Sequence, residues 1–187
     1  MEVVRLTSPL TRDAVSSLKA GDSVMLSGVI YTARDAAHKK LIETLDAGDP
    51  LPLDIQGITI YYMGPSPAPP GGVIGAAGPT TSGRMDRYTP RMLAAGVRAM
   101  LGKGFRSHAV KEAIREHGAV YMAAIGGAGA LISKRIKSAE VVVYPELGPE
   151  AIRRLEVEDL PAIVINDSHG GDLYIEGRAR FQIQKSH

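Results

Sequence analysis

Nine consecutive residues, Gly78-Pro79-Thr80-Thr81-Ser82-Gly83-Arg84-Met85-Asp86, place three hydroxyls and a guanidinium on a glycine-bounded turn. Such a turn exposes backbone N–H groups, and a helix start beside it adds partial positive charge. Arg84 adds a full charge on a two-pronged donor that matches a carboxylate or phosphate. The chemistry implied is the seating of a small anion. A helix beginning near Thr80 would set Thr80 and Arg84 four residues apart on one face, aimed at one ligand. The plainer reading makes Thr80 or Thr81 an N-cap and Arg84 a solvated residue. The glycines favour a ligand, because they clear space for its approach.

The stretch Ser27 to Lys39 offers a second arginine, Arg34, after an apolar run. It stands between a predicted strand and a predicted helix, where α/β folds often carry ligand residues. Taken alone, Arg34 reads as a surface residue paired with Asp35 or another neighbour. Lys103 lies between two glycines just past a predicted helix, where a cation ordinarily balances the helix C-terminus. His38 is a candidate proton carrier, although a histidine on an amphipathic helix more often serves as surface or cap.

Two other segments resemble catalytic signatures only superficially. Asn166 to Asp172 contains Ser168, His169 and Asp172, but they are neighbours in sequence and no G-x-S-x-G elbow surrounds the serine. A polar turn near the site is the expectation. Gly126-Gly127-Ala128-Gly129 follows a predicted strand, yet Ile132 occupies the place of the third glycine of a dinucleotide loop. Tight strand–helix packing accounts for it better. No spacing of histidines and carboxylates suits a metal. The chain has no cysteine, so it supplies no disulfide, no Cys-ligated zinc and no cysteine-ligated iron–sulfur cluster.

The elements that must position these residues follow from periodicity and caps. Thr11 caps a short helix through about Leu18, closed by Gly21. A strand runs from Asp22 to Tyr31, with Val24, Leu26 and Ile30 on one side. Asp35 caps a helix through Leu45, with Leu41, Ile42 and Leu45 as its apolar stripe. Ile58 to Met63 is a strand, and Gly64 to Gly78 a loop with a short buried strand at Val73-Ile74. Thr89-Pro90 starts a helix running to about Leu101. Ser107 caps the next, ended by Gly118. Ala119 to Ile125 is a strand, followed by a helix to about Ile136. A strand at Ala139 to Tyr144, a helix at Pro149 to Leu155 and a strand at Pro161 to Asn166 come next. A hairpin of Asp172 to Ile175 with Ala179 to Ile183 closes the chain. The alternation of strand and helix predicts an α/β fold with partly parallel strands.

Composition narrows the function. At 187 residues the chain suits one domain, spanning residues 1–187, and buries roughly 70% of its unfolded surface. Net charge is only +2, aromatics are 5% and tryptophan is absent, which argues against nucleic acid. From Arg84 to Arg106, six cations face one acid, Asp86. A local positive field on a near-neutral chain fits a small anion better than a polyanion. The opening MEVVRLTSPL has neither the basic start nor the apolar core of a signal peptide, and no apolar run approaches membrane-spanning length. A cytoplasmic protein without membrane or nucleic-acid partners is expected.

Ser27-Gly28 through Lys39, Gly78 through Asp86, and Tyr144-Pro145-Glu146-Leu147-Gly148-Pro149-Glu150-Ala151-Ile152 together resemble the β subunit of class I fumarate hydratase. The same sequence type forms the C-terminal domain of single-chain class I fumarases and the β subunit of L(+)-tartrate dehydratase. The resemblance covers nearly the whole chain. It implies a swivelling β/β/α domain, a mixed sheet with flanking helices, active only with a cysteine-bearing α subunit. That partner would hold a [4Fe-4S] cluster whose open iron binds the substrate hydroxyl. A dimer of αβ pairs and a small dicarboxylate substrate are implied as well. By resemblance, Arg34 and Arg84 bind substrate carboxylates and Lys103 also reaches the substrate. Thr80, with a partner aspartate, handles the proton beside a carboxylate, and Thr81 is the alternative in that role. Reversible hydration of fumarate to (S)-malate is the expected reaction, with tartrate dehydration as its rival. A non-catalytic anion-binding module is the reading from a different class.

Overall fold

The computed structural model describes residues 3–124 and 129–181. Seven strands form one mixed sheet: β1 (Val3–Ser8), β2 (Ser23–Thr32), β3 (Thr59–Tyr61), β4 (Ala99–Gly102), β5 (Val120–Ala123), β6 (Ile136–Val143) and β7 (Ile152–Asn166). Strands β1 to β5 run parallel to one another. The long β7 returns antiparallel, pairing with β5 and β6 and also with β2. The ring β2-β3-β4-β5-β7 therefore closes on itself, with β1 and β6 as extensions. Closure is assisted at Gly28, where the β2–β7 register shifts. Its φ of +94° and the carbonyl oxygen of Ser8, 2.4 Å from where a Cβ would sit, admit only glycine. Below this bend β2 pairs with β1, and above it with β3.

Side chains alternate between two apolar compartments. Leu26, Ile30, Tyr61, Leu101, Met122 and Leu160 fill one. Ile60, Tyr62, Met100 and Tyr121 point the other way, onto α2 (Asp35–Ala47), α3 (Thr89–Ala94) and α4 (His108–His117). Strands covered on both sides read as continuous apolar runs rather than as clean alternation. The remaining helices are α1 (Arg12–Ser16), α5 (Gly129–Ser133) and α6 (Leu173–Phe181). Among the described residues, no helix is long and apolar enough to cross a membrane.

Several local expectations hold. Thr11 caps α1 by accepting the Ala14 N–H, Ser107 caps α4, and Gly48 and Gly118 end their helices in the left-handed conformation. Four others are corrected. The helix from Thr89 stops at Ala94, because Gly96 takes φ +126°; the chain then enters the sheet at Ala99, and the 99–102 run is buried on both faces. Pro149 to Leu155 is no helix: a 3-10 turn at Pro145–Glu150 leads into β7 at Ile152, whose backbone finds partners in β6. Residues 173–181 form α6 instead of a hairpin, with Asp172 accepting the Tyr174 N–H at its start. Val73 is exposed and Ile74 lies in a loop, so the short buried strand there does not form. Of the glycine stretch 126–129, residues 126–128 lie outside the described residues. Gly129 packs so closely on residues 77–78 that a Cβ would meet the Gly78 nitrogen at 3.0 Å, which agrees with a tight-packing role.

Candidate functional site

The carboxyl ends of β2, β3 and β4 lie side by side, and all four principal candidate residues are carried there. Arg34 follows β2, and Lys103 follows β4. The Thr80 N–H donates to the Tyr62 carbonyl at 2.7 Å, just past β3, and the Ser82 N–H donates to the Lys103 carbonyl at 2.8 Å. Residues 80–82 thus bridge the chain continuing β3 and the chain continuing β4, and Thr81 pairs with Lys103 as one further step of parallel ladder. Crevices at the carboxyl ends of parallel strands are the usual place for ligands in such sheets.

The three hydroxyls of the turn have different environments. Ser82 is fully buried; its Oγ accepts the Lys103 N–H at 3.0 Å and lies 3.0 Å from the Tyr121 hydroxyl, which donates to the Gly104 carbonyl at 2.9 Å. Burial raises the Tyr121 phenol well above its ordinary pKa, so it stays protonated. Ser82 is a structural link and is not available to a ligand. Thr80 is half-buried and Thr81 exposed. The helix expected from Thr80 begins only at Ser82, as a single 3-10 turn through Met85, so Thr80 and Arg84 do not share an α-helical face.

Both arginines are paired, but not as expected from neighbours in sequence. Asp35, the first residue of α2, pairs with Arg84 (Nη2 to Oδ2 2.8 Å, Nε to Oδ1 3.3 Å). This leaves Arg84 Nη1 for a ligand. Arg34 Nη2 lies 3.4 Å from Glu150 Oε1, while Arg34 Nε is buried without a hydrogen-bond partner. A buried guanidinium donor left unpaired is costly. Gly64 makes room for this side chain, since a Cβ there would stand 2.5 Å from Arg34 Nη1. Lys103 is exposed and has no ion pair among the described residues. It ends a strand, so the helix-terminus account of its charge does not apply.

His38 is neither surface nor cap. It is buried on α2 between Tyr62, edge-on at 5.5 Å, and Tyr88, stacked at 5.9 Å, and its Nδ1 donates to the Arg34 carbonyl at 2.9 Å. Burial pulls its pKa from 6.5 down to about 4, so at neutral pH it is an uncharged packing group under Arg34. The unfolded chain binds this proton near pH 6.5 and the folded chain only near pH 4. The stabilisation is therefore complete above pH 6.5 and is lost as pH falls toward 4, by roughly 3 kcal/mol. Chemical denaturation between pH 7 and 4 should show this slope, and His38→Gln should lose it. Equal slopes in both proteins would mean that His38 titrates freely in the fold.

Sequence reasoning gave Asp35 to Arg34 where it pairs with Arg84, and missed both Glu150 as the partner of Arg34 and the buried pair Arg106–Asp86 beneath the turn, Nε to Oδ1 2.7 Å. The lone acid among six cations was the available signal for the latter. The Asn166–Asp172 turn packs elsewhere: Asp167 accepts from Ala20, His169 and Gly171 backbone N–H groups beside the start of β2. These bonds hold its carboxyl below the usual range despite burial, which acts the other way. A groove of about 310 Å³ between the 65–74 loop and β6 contains none of Arg34, Thr80, Arg84 and Lys103. Among the described residues no three His, Asp or Glu side chains are grouped to hold a metal.

The Fumarase C-terminus family profile matches residues 1–177. The aerobic class I fumarate hydratase of Escherichia coli K12 is 44% identical over 162 residues, which are 86% of this chain and 30% of that protein. Fumarate hydratase 2 of Leishmania major is 42% identical over 87% of this chain and 29% of its own length. The chain thus spans about 30% of these single-chain relatives. A putative L(+)-tartrate dehydratase subunit beta from Methanocaldococcus jannaschii is 40% identical over 89% of both chains. With a profile match across nearly its full length, this chain belongs to the Fumarase C-terminus family.

Proposed function

We propose that this chain is the β subunit of a two-chain hydro-lyase that interconverts fumarate and (S)-malate and works only with a cysteine-bearing α subunit. The observation that carries this reading is the pair of guanidiniums at one end of the sheet, one with a buried donor unpaired and the other with Nη1 to spare. Two forked cations match the two carboxylates of such a substrate. The exposure of Lys103 and Thr81 supports a site that a second chain completes. The match over 89% of both chains with a putative subunit named as beta supports the same division.

This chain has no cysteine and no grouped metal ligands among its described residues, so its donors do not fit a [4Fe-4S] cluster. We assign that cluster to the α subunit. The steps open to this chain are binding and proton handling. Arg34 and Arg84 clamp the carboxylates, and Lys103 adds a third cation. Loss of a proton beside a carboxylate spreads negative charge onto it, and the cations stabilise that charge most in the transition state. We assign the relay of this proton to Thr80 Oγ1; an alcohol is a poor base, so it works with a partner aspartate. Half-burial favours Thr80 over the exposed Thr81. We assign the chain to the swivelling β/β/α class as a single domain over 1–187. A cytoplasmic dimer of αβ pairs completes the proposal.

Tartrate dehydration shares this machinery, and the match to a tartrate dehydratase β subunit favours it as the second reading. The test is anaerobic co-expression with the candidate α chain, cluster reconstitution, and parallel assays of fumarate and L-tartrate. Fast fumarate hydration requiring both chains supports the proposal. Preference for tartrate keeps the mechanism and changes the substrate. No complex and no activity points to an anion-binding module. In the active complex Thr80→Ala should lower kcat by about a hundredfold, the scale of a lost acid–base group; Thr81→Ala doing so instead would move the proton to Thr81.

A further inference from the structure

The motif Tyr144 to Ile152 has no part in the reaction as described, and the geometry points to one: we propose that this turn is a brace that positions Arg34, with Glu150 as its positioning residue. The inference rests on the assignment of Arg34 to the substrate site.

The Glu150 carboxylate is shared between backbone and side chain of one short segment. Oε2 accepts the Ala36 N–H at 2.9 Å, in the first turn of α2, and Oε1 faces Arg34 Nη2 at 3.4 Å. A second anchor lies further along α2, where Lys40 pairs with Glu146 and its Nζ sits 4.8 Å over the Tyr144 ring. The turn itself is held to β7 by Arg153, whose guanidinium donates to the carbonyls of Gly148 at 2.9 Å and of Pro149 and Ala151 at 3.3 Å each. Pro149 also closes over Gly64: its carbonyl lies 3.1 Å from where a Gly64 Cβ would be, in the space that admits the Arg34 guanidinium. Arg34 therefore lies in a slot with Gly64 on one side and the turn on the other.

An arginine side chain otherwise samples many rotamers, and a ligand that must order it loses affinity. Holding the guanidinium beforehand removes that cost. The Glu150 contact does so with one Nη, leaving Nε unpartnered. The carboxylate also repels a dianion. Its pairing with Arg34 neutralises much of that repulsion, so orientation is the larger effect.

Glu150→Gln separates these roles, because the amide oxygen still accepts the Ala36 N–H while the charge beside Arg34 is gone. The assay uses the assembled αβ complex. Two quantities are read: the Kd of succinate, an unreactive dicarboxylate, by calorimetry, and KM and kcat for fumarate. The expected result is a rise of about tenfold in Kd and KM with a smaller change in kcat, as for loss of binding shared by ground and transition states. In an Arg34→Ala background the same substitution should leave Kd unchanged, since coupled residues are not additive. An equal rise in both backgrounds, or none in the wild type, overturns the brace. Wild-type Kd and kinetics for Arg34→Ala alone overturn the site assignment itself, which is a different failure.

Discussion

Asp86→Ala is expected to cost the fold roughly 3–5 kcal/mol, the usual penalty for leaving a buried charge without its partner. The charge left behind is Arg106, whose side chain is 0% exposed. Its Nη2 donates to Thr89 Oγ1 at 2.7 Å, and its guanidinium lies 4.8 Å from the Tyr121 ring and 5.3 Å from that of Tyr62. Burial opposes its ionisation, but Tyr62 and Asp86 outweigh this and hold its pKa above the arginine norm. Asp86 answers with both oxygens, accepting Arg106 Nε on one and the Ser107 N–H at 2.6 Å on the other. The pair ties the end of the 82–85 turn to the start of α4 and so fixes the loop that carries Thr80 and Arg84. Urea denaturation should show the loss as a lowered midpoint with an unchanged slope. Asp86→Asn, which can still accept the Ser107 N–H, should fall between the two. A loss of less than about 1 kcal/mol for Asp86→Ala would mean that water reaches Arg106 and replaces its partner.

Arg84→Ala has the opposite profile, a large effect on activity and a small one on stability. Arg84 is half exposed, and its pair with Asp35 is at the surface, where ion pairs contribute about 0–1 kcal/mol. Toward a bound carboxylate it is a charged donor, and its loss should cost at least about 2 kcal/mol of transition-state stabilisation. That is a fall of roughly thirtyfold in kcat/KM for the proposed complex with an α subunit. Arg84→Lys keeps the charge but not the fork, so it should recover only part of the activity. A variant with unchanged turnover and affinity would remove Arg84 from the site.

Much of the fold was legible because its signals are local. The caps at Thr11 and Ser107 and the stops at Gly48 and Gly118 depend on bonds within one turn of backbone, and each is where the residue types indicate. Three of the misreadings share one cause. Val97 to Leu101, Ile152 to Leu155 and Val73-Ile74 are short apolar runs, and apolarity alone does not say whether a run enters a sheet, a helix or a loop. Strand β4 forms because β3 and β5 lie on either side to take its hydrogen bonds. The first part of β7 forms because β2 and β6 do the same. Val73 finds no such neighbour and stays exposed.

At the site, residue chemistry drew attention to Thr80 and Arg84, hydroxyl and forked cation among glycines, while Arg34 and Lys103 took substrate roles only through the family resemblance. The absence of cysteine, and with it of any thiolate ligand, needed nothing more than the sequence. Which partner each side chain takes was decided only by the tertiary structure. Asp35 looked like the companion of Arg34 and instead pairs with Arg84, 49 positions away, while Arg34 faces Glu150. His38 became a neutral core residue because two tyrosines close over it. Ser82 turned inward to Tyr121 while Thr80 stayed half-open. Local hydrogen bonds and residue types act over a few residues, but ion pairing and desolvation depend on distance in space, and closure of the sheet sets those distances.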